Sequence, residues 1–352
     1  MMEKLGKLSS DIFNEIIYPN LGKKDSSVVV PPKHGVDFGV VELGDLALIV
    51  KSDPVFVVPE YGWERSSWFA VHILASDVSV SGVPPRYLSI DLNLPPKMSK
   101  EEFRLLWTGI SKECEKLGIS IVAGHTGKYE GTDYPMVGGA TMLAVTTKDG
   151  YVTTEMARPG DLVIMTKGPA VEAAGILSTM FPEYLEEKFG KEFAERAKDI
   201  FYLQSVVEDA LALSSIGLRT GVTSMHDATE YGVWGALYDI ARASNVGIVV
   251  RKKELFIRDD VKTIISAFSE LTGIKADPFA AISEGTLIAT VKPEKAQEAL
   301  RKLREKGIEA GIIGEVVKRE GVFMDDGRAV EMPSEDPFWP MFFRTAEILK
   351  RK

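Results

Sequence analysis

The chain has 352 residues, more than one small hydrophobic core usually organises, and this length indicates about two domains. Hydrophobic residues make up 45% and charged residues 26%, the composition of a globular protein, and the net charge of −9 disfavours nonspecific binding to nucleic acid or to an anionic membrane. Because there is one cysteine, no apolar run near the ~20 residues that span a bilayer and no signal-like N-terminus, we expect a cytoplasmic protein without disulfides.

The first half of the chain contains several segments with the period of a strand. These segments lie at residues 46–58, 86–94, 119–124 and 136–147. Asp53 and Pro54 interrupt the first segment, which therefore predicts either one strand or two.

Two helices are predicted among these strands. One covers residues 66–81, where apolar positions recur with helical spacing. The other begins at Ser99, which has the spacing of a capping box with Glu102, and runs to Leu117 with Gly118 just beyond its end.

A polar, turn-rich stretch at residues 147–161 predicts the boundary between two domains, residues 1–153 and residues 154–352. In the second half, strands are predicted at residues 162–168, 286–291 and 310–317. One more strand leads into the stretch at residues 222–237. Helices are predicted near residues 170–180, 190–216, 259–272 and 293–306, and another ends near Ser244. Because helices and strands alternate in both halves, we predict an α/β or α+β fold.

The stretch VTSMHDATEYGVWGAL at residues 222–237 joins a strand to a helix. Asp227 and Glu230 have the spacing of a capping box, so the start of that helix explains them. Gly232 and Gly235 lie in the first helical turns, where each glycine costs about 1 kcal/mol relative to alanine and lets a ligand or another backbone come close. Because a helix N-terminus also binds phosphate, both capping and anion binding remain open.

Three aspartates of the first half are candidate metal ligands. Asp37 lies in a turn, Asp53 interrupts an apolar strand, and Asp77 has small or apolar neighbours with no basic residue close in sequence. A buried carboxylate without a partner is costly, and Mg²⁺ held by a few carboxylates and by substrate phosphates would neutralise it. Each aspartate alone is also explained by a capping or surface role.

The four histidines fit no zinc-binding spacing. His125 follows a predicted strand directly, which places it where loops carry function. His226 is a candidate acid or base, or else a residue that only hydrogen-bonds its neighbours, while His72 is expected to pack on its helix.

Several blocks occur in the order found in the superfamily of aminoimidazole ribonucleotide synthetase, selenophosphate synthetase, thiamine-monophosphate kinase and the hydrogenase-maturation dehydratase. GVDFGVV resembles the Gly-Asp-Asp-Ala-Ala block of that superfamily, KSDPVFV its Thr-Asp strand, and SDVSVSGVPPRYL its Asn-Asp-x-x-x-x-Gly-x-x-Pro block. ISIVAGHTG stands where the family has Gly-Gly-Asp-Thr, and RPGDLVIMTKG resembles the start of its second domain. MHDATEYGVWGAL and DPFAAISEGTLIATV resemble two late blocks and look most similar to the hydrogenase-maturation branch.

The resemblance implies a PurM-like two-domain fold, with N-terminal sheets that form a barrel across a homodimer and with ATP and Mg²⁺ bound in a cleft. It makes Asp37, Asp53 and Asp77 the metal ligands and Asp227, His226 and His125 the catalytic candidates. The implied nucleotide-binding residues are Asp37, Gly124, Thr126, Thr229, Glu230 and Gly232.

This chain departs from the family pattern at three places. His125 replaces the acidic residue of the Gly-Asp-Thr block, so that one metal ligand is either missing or supplied by Glu130 or Asp133, and Tyr231 replaces a glycine beside the helix end. The hydrogenase-maturation branch acts on a cysteine at its own C-terminus, whereas this sequence ends in AEILKRK, so we expect that reaction to be absent.

The resemblance implies an ATP- and Mg²⁺-dependent enzyme that transfers the γ-phosphoryl group to an oxygen of a small or protein-borne substrate. Such a transfer depends on positioning and charge neutralisation more than on a covalent nucleophile. Two alternatives are a small-molecule kinase similar to thiamine-monophosphate kinase and a non-catalytic nucleotide-binding partner in a maturation complex.

Overall fold

The computed structural model describes residues 10–350, which form two six-stranded sheets with helices packed against them. The mixed α/β, two-domain fold predicted from the sequence is therefore confirmed. No helix in this range is long and apolar enough to cross a membrane.

The first sheet is built from residues 28–147. Its strands are β1 (Val28–Val30), β2 (Gly39–Leu43), β3 (Leu46–Phe56), β4 (Tyr87–Leu94), β5 (Ser120–Lys128) and β6 (Met136–Thr147). The strand order is β1-β2-β3-β6-β4-β5, and neighbours are antiparallel except for the parallel pair β4–β5. β3 runs without a break through Asp53 and Pro54, with an irregular register only between Pro54 and Phe56, so the alternative of two strands is wrong.

The helices of this half are α1 (Ser10–Ile12), α2 (Trp63–Ser79) and α3 (Lys100–Leu117). The capping box is confirmed, because Ser99 N donates to Glu102 Oε2 over 2.7 Å and Glu102 N donates to Ser99 Oγ over 3.2 Å. Gly118 ends α3 in the left-handed conformation with φ of 72°. Cys114 is buried on α3 in the hydrophobic core.

The second sheet is built from residues 162–324. Its strands are β7 (Leu162–Thr166), β8 (Val222–Ala228), β9 (Gly247–Val250), β10 (Thr286–Val291), β11 (Ala310–Val317) and β12 (Gly321–Met324). The order is β12-β9-β11-β7-β10-β8, which makes β8 an edge strand paired with β10 alone. Every residue of β8 is nevertheless buried.

The helices of the second half cover both the sheet and its edge. They are α4 (Val171–Met180), α5 (Pro182–Phe189), α6 (Lys191–Lys198), α7 (Val207–Ser214), α8 (Gly232–Ala243), α9 (Asp259–Thr272), α10 (Ala296–Glu305) and α11 (Phe338–Lys350). The helix predicted at residues 190–216 is instead divided, because a 3₁₀ segment, Asp199–Leu203, and a short loop separate α6 from α7.

One hydrophobic core joins the two sheets. It contains Leu74 of α2 and Leu88 of β4 together with Leu213 of α7, Leu287 of β10 and Leu303 of α10. Where α2 meets α7, the side chain of Ser76 accepts a hydrogen bond from Val206 N over 3.1 Å. The two halves therefore share apolar surface that would otherwise face water.

Candidate active site

Charged side chains from distant parts of the chain meet at the junction of the two sheets. The members are Asp37 from the loop before β2, Lys51 and Asp53 from β3, Asp77 from α2, and His226 and Asp227 from β8. Residues two apart on a strand project from the same face, which puts Lys51 beside Asp53. Because α2 packs against β3, the strand lysine also reaches Asp77.

Lys51 forms ion pairs with both aspartates. Its Nζ lies 3.3 Å from Asp53 Oδ2 and 3.2 Å from Asp77 Oδ1. Burial alone would lower the pKa of Lys51, but the nearby carboxylates, Asp77 foremost, outweigh it and raise the pKa above its ordinary value. The side chain is therefore an ammonium ion.

Folding gives Asp77 the basic partner that its sequence neighbours lack. Asp77 lies on the predicted helix, buried in the last turns of α2, and its contact with Lys51 shows that the expectation of an unpaired carboxylate is wrong. Burial raises the pKa of Asp77 despite the opposing effect of Lys51, and the charges of Asp227, Asp53 and Asp37 add to the rise. The carboxylates are thus crowded against one another.

His226 lies between two carboxylates. Its Nδ1 is 2.8 Å from Asp37 Oδ2 and its Nε2 is 3.4 Å from Asp239 Oδ2 on α8. Burial alone would lower the pKa of His226, but Asp37 and Asp239 raise it well above its ordinary value. Nδ1 therefore donates to the carboxylate of Asp37, and Nε2 faces the carboxylate of Asp239.

Asp37, His226 and Asp227 each offer one possible metal-ligand atom, and these three atoms lie within 4.8 Å of one another. Both ring nitrogens of His226 already face carboxylates, Asp37 on one side and Asp239 on the other. The carboxylate oxygens of Asp37 and Asp227 suit a hard cation such as Mg²⁺. They are the part of this group that fits the implied metal.

Further buried carboxyl groups from the second half surround Asp227. Glu284 N donates to Glu172 Oε2 over 2.9 Å, which places the start of α4 beside the loop before β10. Burial raises the pKa of Glu172 to about 8, with Glu230 and Asp336 contributing. Burial and then the charge of Asp227 also raise the pKa of Glu284.

The connection between β8 and α8 differs from the predicted capping box. Asp227 belongs to β8, and the N-cap of α8 is Tyr231, whose side chain makes no cap and whose φ is 64°. The backbone N–H of Tyr231 instead donates to Asp336 Oδ2 over 3.0 Å. The explanation of Asp227 and Glu230 as a capping box is therefore wrong.

The two glycines of α8 allow other backbone to approach. A Cβ on Gly232, whose φ is 57°, would lie 2.5 Å from the carbonyl oxygen of Ala281. A Cβ on Gly235 would lie 2.8 Å from the carbonyl oxygen of Glu230. The sequence left open whether a ligand or other backbone comes close to these glycines. In the structure, close approach of backbone accounts for both of them.

His125 lies inside β5, so its predicted place in a loop after the strand is wrong. The register of the first sheet aligns Asp53 with Ala140, Ile90 and Gly124 in one row. Three strand spacings separate β3 from β5, or roughly 14 Å. The side chain of His125 is exposed, and its Nε2 lies 2.6 Å from the hydroxyl of Tyr129.

The predicted site residues thus fall into two groups. Asp37, Asp53, Asp77, His226 and Asp227 meet in the cluster, and Thr229, Glu230 and Gly232 follow on the same connection. Gly124, His125 and Thr126 lie on the edge strand of the first sheet.

Four charged residues in the cluster or in contact with its surroundings were not predicted from the sequence: Lys51, Glu172, Asp239 and Glu284. Glu284 lies in the Ser-Glu-Gly block, and Lys51 is two residues from Asp53, so both had a signal in the sequence. Glu172 and Asp239 had none.

The chain matches two models of one family, described as AIR synthase related protein. The N-terminal domain model matches residues 35–146 and the C-terminal domain model matches residues 158–327.

Three relatives match over most of their length. The putative hydrogenase expression/formation protein of Methanocaldococcus jannaschii is 25% identical over 94% of this chain and 96% of its own. The thiamine-monophosphate kinase of Pyrococcus abyssi is 28% identical over 84% of this chain and 87% of its own. Carbamoyl dehydratase HypE of Escherichia coli is 28% identical over 75% of each chain.

Solved structures share the fold. AaThiL complexed with AMPPCP and TMP superimposes with a TM-score of 0.68 at 20% identity, covering 93% of this chain and 98% of its own. The hydrogenase maturation protein HypE in complex with ATP gives a TM-score of 0.61 at 22% identity, covering 95% and 97%. With both domain models matched in order, this chain belongs to the AIR synthase related protein family.

Proposed function

We propose that this protein is an ATP-dependent enzyme that transfers the γ-phosphoryl group to an oxygen of a small or protein-borne substrate. The observation that carries the proposal is the meeting of Asp37, Asp53 and Asp77 with Asp227 at the junction of the two sheets. Relatives that use this fold include a thiamine-monophosphate kinase and a carbamoyl dehydratase, and one relative was crystallised with ATP.

The crowded carboxylates suit the cation that accompanies a nucleotide. Asp37 and Asp227 supply the oxygen ligands that Mg²⁺ prefers, and these two residues would hold it. When bound, Mg²⁺ neutralises charge on the β- and γ-phosphates. Thr229, Glu230 and Gly232 follow Asp227 directly and stay our candidates for contacts with the nucleotide.

Proton transfer requires a group other than His226. The ring of His226 is held by Asp37 and Asp239, so it positions Asp37 instead of accepting a proton. Glu172 and Glu284 are carboxyl groups with raised pKa values, and such groups are suited to exchange a proton with an acceptor hydroxyl or amide. We assign general acid–base work to this pair.

A homodimer formed through the first sheet is part of the proposal. The sheet exposes large apolar side chains, which include Leu43, Leu46, Val122, Met136 and Val145. An exposed apolar patch on a sheet is a frequent interface. Gly124, His125 and Thr126 lie on the edge strand β5 and would contribute to a site through this association.

Calorimetric titration with ATP, with and without Mg²⁺, tests the proposal. We expect binding that requires Mg²⁺ and that falls at least tenfold in Asp37→Asn, while Asp326→Asn, a control at an exposed ion pair, binds as the wild type. Absence of binding at millimolar ATP would reject the enzyme and the partner alternative together.

Turnover assays separate the alternatives. Phosphorylation of thiamine monophosphate would identify a kinase, and ADP release only with a carbamoyl or carboxamide substrate would identify a dehydratase. ATP binding without ADP release across such substrates would favour a non-catalytic partner in a maturation complex, a role that the exposed His125 and the strained Tyr231 support.

A further inference from the structure

The ammonium group of Lys51 lies where a cation shared by Asp53 and Asp77 would lie. Its Nζ is 3.3 Å from one carboxylate and 3.2 Å from the other. The side chains of Lys51 and Asp77 are 19% and 8% exposed, so little water screens the contact. Among the charged side chains of the cluster, these three form a group bridged by the lysine.

A divalent ion on the same two carboxylates would meet this ammonium at close range. Mg²⁺ binds carboxylate oxygens at 2.0–2.1 Å and requires nearly octahedral geometry, so it would stand within a few ångströms of Lys51 Nζ. Like charges at that distance in a buried site repel strongly. The two cations therefore exclude each other unless Lys51 leaves.

Lys51 has limited freedom to leave. It projects from the middle of β3, whose backbone pairs with β6 at Lys51 itself and with β2 as far as the neighbouring Val50. Removing it from both aspartates would leave Asp77 buried beside Asp53, Asp37 and Asp227 with one positive charge fewer. The ion pairs described for Asp37 and Asp227 are with His226.

We propose that Lys51 takes the place of a divalent cation between Asp53 and Asp77, so that these two carboxylates do not hold a metal ion in this protein. The inference revises our assignment of Asp53 and Asp77 as metal ligands, and its catalytic meaning rests on the proposed ATP-dependent function. The ammonium group of Lys51 then supplies one positive charge between these carboxylates, where a divalent ion would supply two.

Counting bound Mn²⁺, a paramagnetic substitute for Mg²⁺, by electron paramagnetic resonance tests this directly. We expect Lys51→Met to bind one more Mn²⁺ per chain than the wild type, and we expect the double variant Lys51→Met/Asp53→Asn to lose that ion again. Lys292→Met is the matched control, because Lys292 also pairs with a buried aspartate, Asp161, over 2.8 Å. It should gain no ion.

A measurement on proteins that keep Lys51 tests the inference even if Lys51→Met fails to fold. With a non-hydrolysable ATP analogue present, Asp53→Asn should bind as many Mn²⁺ ions as the wild type. A count lower by one would make Asp53 a metal ligand and would overturn the inference, as would a folded Lys51→Met that gains no ion. Because the counts are repeated without nucleotide, a protein that shows the expected counts but binds no ATP would defeat the proposed function alone.

Discussion

His226 Nδ1 donates to Asp37 Oδ2 over 2.8 Å and thereby ties β8 of the second sheet to the loop before β2 of the first. The opposite ring nitrogen faces Asp239 on α8 at 3.4 Å. One buried imidazole ring thus connects a candidate metal ligand, an edge strand and a helix.

We expect His226→Ala to destabilise the protein by about 3–5 kcal/mol, because it leaves two carboxylates without the side chain that both contact. Denaturant unfolding of the variant measures the loss. His125→Ala is the matched control, since that exposed side chain should change stability by less than about 0.5 kcal/mol. Equal effects of the two substitutions would show that the His226 contacts contribute little.

Glu172 predicts a pH dependence of stability. Its pKa in the folded protein is about 8, above the value of an exposed glutamate, so the folded state binds the proton more tightly than the unfolded state does. The favourable contribution is complete below pH ~4.5 and is lost as the pH rises towards 8. Across that window Glu172 alone should lower the free energy of unfolding with a slope of at most about 1.4 kcal/mol per pH unit, to which Asp77 and Glu284 add.

Glu172→Gln should flatten this slope and raise the stability at pH 8 relative to the wild type, as measured by denaturant unfolding at a series of pH values. Glu183→Gln, on the exposed first turn of α5, should leave the slope unchanged. A slope that Glu172→Gln leaves unchanged would assign the proton to another group.

Gly232→Ala should destabilise the protein by roughly 2–3 kcal/mol, because it adds a methyl group 2.5 Å from the carbonyl oxygen of Ala281 to a residue with φ of 57°. Gly273 has φ of 72° but open space around it, so Gly273→Ala reports the cost of the backbone conformation alone, about 1 kcal/mol. Thermal or denaturant unfolding compares the two. Equal losses would mean that the loop at residues 279–281 yields easily.

Tyr231→Gly should stabilise the protein modestly, by about 1 kcal/mol, because a residue with a Cβ is strained at φ of 64°. Denaturant unfolding measures this change. Calorimetric titration of the same variant with ATP then shows whether the tyrosine side chain narrows the nucleotide site. A loss of stability would show that contacts of the ring outweigh the strain of its backbone.

Local patterns in the sequence predicted the elements well, since their physical causes are local. The capping box of Ser99 and Glu102 sets the start of α3, and Gly118 sets its end, through contacts within a few residues. The prediction of one long helix at residues 190–216 is wrong, because the apolar spacing continues across the break at Asp199–Leu203. Apolar spacing alone cannot distinguish a helix from consecutive shorter ones.

The cluster was predicted in part, because aspartates in the order of a known family indicate where a site lies but not what each carboxylate contacts. Lys51 and Asp77 are 26 positions apart, and only the packing of α2 on β3 brings them together. The same holds for Asp239, which reaches His226 from a helix that follows it in sequence. Tertiary contacts therefore reassigned Asp77 from an unpaired carboxylate to a member of an ion pair.

The shared core has a consequence for how this protein can be divided. Leu74 and Leu88 of the first half pack in one cluster with Leu213, Leu287 and Leu303 of the second, and the charged cluster spans the same junction. A fragment cut within residues 147–161 would expose this apolar surface and separate Asp37 from His226. The two sheets should therefore unfold in a single transition, and neither half expressed alone should retain the charged cluster at their junction.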